Sequence, residues 1–113
     1  MDETLKPWLN DILNAINEVE SYFEEGERKF ENYHSDIRTK RAVERDLEII
    51  GEAAYRIFKV DPEIPIKHVR QIIGTRNRII HRYDSVSDEM IWSIVINHLP
   101  KLKQEVKQLL GQD

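Results

Sequence analysis

V-E-R-D-L-E-I-I-G-E-A-A-Y-R-I, residues 43–57, places apolar side chains at Val43, Leu47, Ile50, Ala54 and Ile57. Alternating steps of four and three keep to one side of a helix that turns every ~3.6 residues, so the stretch predicts a long helix with one buried stripe. Ser35, Asp36 or Thr39 is positioned to cap its start. Glu44, Glu48 and Glu52 follow at one-turn spacing, with Tyr55 continuing that edge, and a charged edge of this kind reads first as a solvated face. Gly51 is costly inside a helix, by about 1 kcal/mol relative to alanine. Its presence predicts a second backbone passing close by.

Towards the N-terminus the same rhythm recurs at Leu5, Leu9, Ile12, Ile16, Val19 and Phe23, a second helical stripe widened by Trp8, Leu13 and Tyr22. Gly26 is expected to end or loosen that helix before Phe30 and Tyr33. Towards the C-terminus, V-D-P-E-I-P-I at 60–66 holds two prolines and cannot continue a helix, so it reads as a connection. Val69, Ile72 and Ile73 form a short helical piece. Gly74 then predicts a break, with Thr75 capping the next helix and Arg76 in its first turn. The turn D-S-V-S-D-E at 84–89 offers Ser85 or Ser87 as the cap of a last helix along Ile91, Val95, Leu99, Leu102, Val106 and Leu109. Pro100 should kink or divide it. Together these segments predict an all-α, antiparallel four- to five-helix bundle in one domain spanning 1–113.

The totals narrow the function classes. With 113 residues the chain is long enough for one core without staples, and only four glycines and four prolines beside 34% charged residues argue against a loop-rich β fold. The absence of cysteine excludes a disulfide framework, a thiolate metal site and a cysteine nucleophile. The opening M-D-E-T-L-K-P-W lacks the basic start and apolar run of a secretory signal, and no apolar run approaches the ~20 residues of a membrane span. The expected location is the cytoplasm, without membrane contact.

Chemistry concentrates in G-T-R-N-R-I-I-H-R-Y, residues 74–83. Histidine exchanges a proton near neutrality, and arginine offers a permanently charged fork suited to phosphate oxygens. His81 and Arg76 therefore make a small set for cleaving a phosphodiester, with Asn77 as a polar aid. Between Ile66 and Tyr83 stand Lys67, Arg70, Arg76, Arg78 and Arg82 and no acidic residue, in a chain whose net charge is −4. Such a local basic patch suits a specific anionic ligand. Arg78 and Arg82 read as contacts to an RNA backbone or as solvated flanks. On a regular helix residues five apart sit about 140° apart, so Arg76 and His81 do not share a face, whereas Asn77 and His81 do. Arg76, Ile80 and Tyr83 follow a neighbouring stripe. An irregular first turn, or a two-fold pairing of two such helices, would reunite arginine and histidine. His34, His68 and His98 read as surface or packing residues, and Trp8 and Trp92 as core or interface. Glu48 or Glu52 has a second reading, as an anchor for Arg76.

Arg76, four residues, His81, one residue and Tyr83 resemble the R-x-x-x-x-H-x-Y signature of the HepT branch of the HEPN superfamily. Asn77 matches the polar residue that follows the arginine there. The likeness extends to I-I-G-E-A at 49–53 and to the W-x-I-V-x-x-x-L-P run at 92–100, covering roughly residues 40 to 102. The resemblance implies a HEPN-like bundle, a homodimer with a composite cleft, and a metal-independent endoribonuclease needing no cofactor. It would be the toxin of a type VII-like toxin–antitoxin pair. His81 and its copy would move protons, Arg76 would stabilise the phosphorane, and Asn77 would orient His81 or bind a phosphate oxygen. Because the nucleophile is the ribose 2′-OH, RNA and not DNA should be cut, leaving a 2′,3′-cyclic phosphate. Tyr83 is the implied target of a cognate minimal nucleotidyltransferase antitoxin, which attaches AMP to its hydroxyl; a charged adduct beside Arg76 would occupy the phosphate site. A non-catalytic HEPN adaptor that binds a nucleotide or RNA for a nucleotidyltransferase, and a helical scaffold using the motif as an interface, stand as alternatives.

Overall fold

The computed structural model describes residues 1–23 and 29–112; Gly26, expected to end the first helix, lies outside the described residues. A 3-10 turn, Glu3–Leu5, capped by Asp2, leads into α1, Lys6–Ser21. Pro7 occupies the first turn of α1, where a missing amide leaves no bond unmade. α2 is the short Phe30–His34 and α3 the long Ile37–Val60. Of the three capping candidates Asp36 does the work, accepting from the amides of Arg38 and Thr39. α4 covers Val69–His81, a 3-10 turn covers Tyr83–Ser85, and α5 covers Asp88–Ser93 behind the cap made by Ser87. A π-helical segment, Ile94–His98, then runs into α6, Leu99–Leu109. Among the described residues there is no strand, and no helix is long and apolar enough to cross a membrane.

α3 is the axis of the bundle. Its stripe of Val43, Leu47, Ile50, Ala54 and Ile57 is buried, as are Leu9, Ile12, Ile16 and Val19 of α1. α1 runs antiparallel beside it, with the Tyr22 hydroxyl at its far end donating to Asp46 at 2.8 Å. α4 lies antiparallel on another side, placing Arg76 against Glu52 and Tyr83 against Glu44. α6 is tied to the end of α1 by the Lys103–Glu20 ion pair at 2.7 Å. Aromatic rings close the α1–α2–α5 corner: Trp92 stacks on Tyr33 and meets Phe23 edge-on, with centroids 5.6 and 5.3 Å apart. The bundle expected from periodicity is the one observed.

Two local expectations are corrected, and a third, at Pro100, takes a specific form. α4 runs unbroken through Gly74, so Thr75 is not an N-cap; its hydroxyl donates to the carbonyl of Gln71, and Arg76 sits mid-helix. A lone glycine costs a growing helix only about 1 kcal/mol, less than ending it and nucleating a new one at the next residue. Pro100 marks the division expected of it: the last helical path passes from α5 through the π segment, and α6 starts afresh at Leu99. The amide of Leu99 bonds five residues back to Ile94, and the widened π turn accommodates the proline in the first turn of α6. Glu44 does not belong to a solvated edge: it is buried, because the Tyr83–Ser85 turn folds back over it.

Candidate active site

Close approach of α3 and α4 builds the site. A Cβ on Gly51 would lie 2.2 Å from Cβ of Arg76, 2.9 Å from its Cγ and 3.2 Å from the carbonyl oxygen of Ile72. Only a hydrogen fits there, which is the physical reason for the glycine read from the sequence. The Arg76 stem is therefore clamped against α3, and its guanidinium is led along that helix. Nη2 meets Glu52 Oε2 at 2.9 Å, while Nη1 donates to Asn77 Oδ1 at 2.7 Å. Nε is buried without a hydrogen-bond partner. Glu52 also accepts from Arg56 Nε at 3.1 Å, so one carboxylate bridges two guanidinium groups.

Asn77 and His81 are both exposed, one turn apart at the C-terminal end of α4. They border an open depression together with Thr75, Arg78, Arg82 and Met90. Arg76 is not among the residues that border it; it borders a charged cleft together with Asp11, Arg45, Glu48 and Glu52. The helical offset anticipated from the spacing is thus the observed one, and no irregular turn brings the arginine round. What links the two sides is the Arg76–Asn77 hydrogen bond, which joins the cation to the histidine's face through an amide. Arg78 directs Nε and Nη2 to the side-chain and main-chain oxygens of Ser85, at 3.2 and 2.5 Å, and so pins the turn that follows α4. Arg82 is exposed.

Tyr83 stands about half-exposed on that turn. Its hydroxyl donates to the Glu44 carboxylate, with Oε1 and Oε2 at 2.9 and 3.0 Å, and accepts from Arg41 Nη1. The Arg41 guanidinium also lies 5.5 Å over the ring centroid and pairs with Glu44 at 3.3 Å. Burial, then the hydrogen bond and charge of Glu44, hold the Tyr83 pKa above the ordinary phenol value. Tyr83 and Arg76 therefore address Glu44 and Glu52, eight residues apart on α3, or roughly 12 Å along its axis. Sequence reasoning named Glu52 as a possible anchor of Arg76 and missed Arg41 and Glu44. Their one available signal was the turn-by-turn register of Glu44, Glu48 and Glu52.

The HepT-like family, described as "Ribonuclease HepT-like", matches residues 12–109. The chain belongs to this family. Among similar proteins, "Probable ribonuclease HepT" of Thermococcus cleftensis is 37% identical over 96% of this chain and 98% of its own length. A protein of Caldanaerobacter subterraneus subsp. tengcongensis named "Putative RNase" is 34% identical over 98% of both chains. Another of the same name from Methanocaldococcus jannaschii is also 34% identical, over 91% of this chain and 94% of its own. No solved structure matches the chain.

Proposed function

We propose that this HepT-like chain is a metal-independent endoribonuclease that acts as a homodimer, the toxin of a pair whose antitoxin is a minimal nucleotidyltransferase. The observation that carries the reading is Arg76 bound through Asn77 to the exposed face that presents His81. The names of the relatives point the same way.

In this reading the His81 imidazole takes the proton of a ribose 2′-OH as its oxygen attacks the adjacent phosphorus. The bond to the 5′-oxygen breaks, and the His81 of the second protomer protonates that leaving group. The products are a 2′,3′-cyclic phosphate and a 5′-hydroxyl. Arg76 stabilises the extra negative charge on the phosphorane oxygens, and Asn77 keeps its fork in register with the histidine. Two copies are needed because one chain presents a single histidine on this face of α4. Tyr83 is the regulatory site: AMP on its hydroxyl breaks the donation to Glu44 and sets a phosphate beside Arg41. Arg78 and Arg82 flank the depression and neutralise the incoming backbone.

Cleavage of total cellular RNA in EDTA, by protein shown by mass spectrometry to carry no AMP on Tyr83, tests the proposal. Wild type is expected to leave 2′,3′-cyclic phosphate ends and His81→Ala to leave RNA intact while sedimenting as wild type does. Intact RNA after treatment with the unmodified wild type would reject the nuclease in favour of a nucleotide-binding adaptor.

A further inference from the structure

A second concavity adjoins the depression at Asn77 and His81. It is a cavity of about 360 Å³, within the size range of small-ligand sites. Its walls are aliphatic: Leu47 and Ile50 from α3, Ile72 from α4, Leu99 and Leu102 from α6. Polar groups stand at its borders: His68 at the N-cap of α4, Gln71 and Thr75 along that helix, His98 at the end of the π segment and Lys101 on α6. Glu105, the one acid that borders it among the described residues, accepts from the backbone amide of Lys67 at 2.8 Å.

Two observations mark this cavity out from a packing fault. The first is continuity, since Gln71, Thr75 and Ile94 border both this cavity and the depression that holds His81. The second is the π-helical segment, whose first and last residues, Ile94 and His98, both border the cavity. A π turn bulges the helix by the extra residue it accommodates, and such turns are frequent at functional sites. Here the bulge falls where the last helical path passes α3 and α4.

We propose that this cavity receives one unstacked base of the RNA strand whose phosphate lies at His81, and so selects the nucleotide beside the cut. The proposal rests on the ribonuclease reading. Sequence-specific RNA recognition works on single-stranded bases splayed out of the stack, placed against flat or apolar side chains and read along their edges. The aliphatic walls supply the apolar surface, His68 and His98 supply imidazole planes, and Gln71 supplies a donor and an acceptor at the wall shared with the depression.

The test has two readouts. Methyl NMR of the wild-type protein, titrated with each of the four 5′-mononucleotides, should show saturable shifts at Leu47, Ile72 and Leu102, largest for one base. Cleavage of oligoribonucleotides should then be about tenfold slower when the nucleotide flanking the cut is abasic, in keeping with the value of one well-held base. Leu102→Phe, which fills the cavity away from His81, should cut both substrates at the abasic rate. Should that variant fail to fold, Gln71→Ala, at an exposed position, should reduce the discrimination between bases. Equal cleavage of base-bearing and abasic RNA by wild type, or methyls unmoved by every mononucleotide, would overturn the proposal. So would methyls that respond only to protein concentration, since a second copy would then fill the cavity. Methyl shifts without cleavage of any RNA would reject the ribonuclease reading and keep the base pocket.

Discussion

One hydrogen atom at position 51 sets the spacing of α3 and α4 and with it the path of Arg76. Adding a methyl 2.2 Å from the arginine Cβ forces the helices apart, and overpacking of this kind costs about 1–3 kcal/mol, occasionally more. Gly51→Ala should therefore lower the free energy of unfolding by that amount, read as a lower denaturant midpoint. It should also abolish RNA cleavage even where the protein remains folded, because the guanidinium is levered off Glu52 and Asn77. Gly74 is the internal control, since a Cβ there would meet nothing within 4 Å. Gly74→Ala should stabilise α4 by up to about 1 kcal/mol through helix propensity alone, measured by the same denaturation. The sequence made the first glycine legible as a close approach but did not say to what. It made the second misleading, because a breaker signal does not reveal whether the surrounding helix is long enough to absorb it. The Arg76–His81 offset was readable, being fixed by helical pitch. The partners of Tyr83 were not, because the direction in which a turn folds back is decided by tertiary contacts.

At the scale of elements, the end of α1 is fastened to α3 by a carboxylate that is itself a liability. Asp46 is almost fully buried, and it accepts from the Tyr22 hydroxyl, which also lies 2.8 Å from Glu18 Oε1. Burial raises the Asp46 pKa to about 6 against the lowering effect of the Tyr22 hydrogen bond. A folded-state pKa above the unfolded one means that the native protein holds the proton more tightly. The stabilisation is therefore complete below the unfolded value of 3.8 and is lost as pH rises to about 6. Asp46→Asn keeps an acceptor for Tyr22 and removes the charge. It should be more stable than wild type at pH 7 by on the order of 2 kcal/mol, with the difference closing near pH 4. Paired thermal melts across that range would show it, and curves that stay parallel would discount the buried charge. Periodicity could not announce Asp46, which stands beside the apolar stripe and looks like an ordinary helix-surface acid. Nor could it announce the π turn, since Pro100 advertises a disturbance without saying how the helix absorbs it.

For the molecule as a whole, the charge distribution confines where RNA docks. The 66–83 segment is basic without a single acid, while the chain as a whole carries −4, so the remainder repels a polyanion. An isologous pairing that sets two such segments face to face would concentrate positive charge in one cleft and bring two His81 side chains to it. That arrangement makes a quantitative demand. If both imidazoles act in one cleavage, as base and as acid, a dimer with one His81→Ala protomer is inactive. Mixing wild type with an equal amount of the variant and allowing full exchange leaves about a quarter of dimers wild type, so activity should fall to about a quarter of that of an all-wild-type sample at the same total concentration. If each protomer acts alone, activity should fall only to about half. Subunit exchange is followed by native mass spectrometry of a tagged variant, and the cleavage rate is read once the heterodimer has reached its statistical share. A rate at half would retain RNA cleavage and remove the shared cleft, leaving the Arg76–Asn77 bond within one chain as the whole of the link between charge stabilisation and proton transfer.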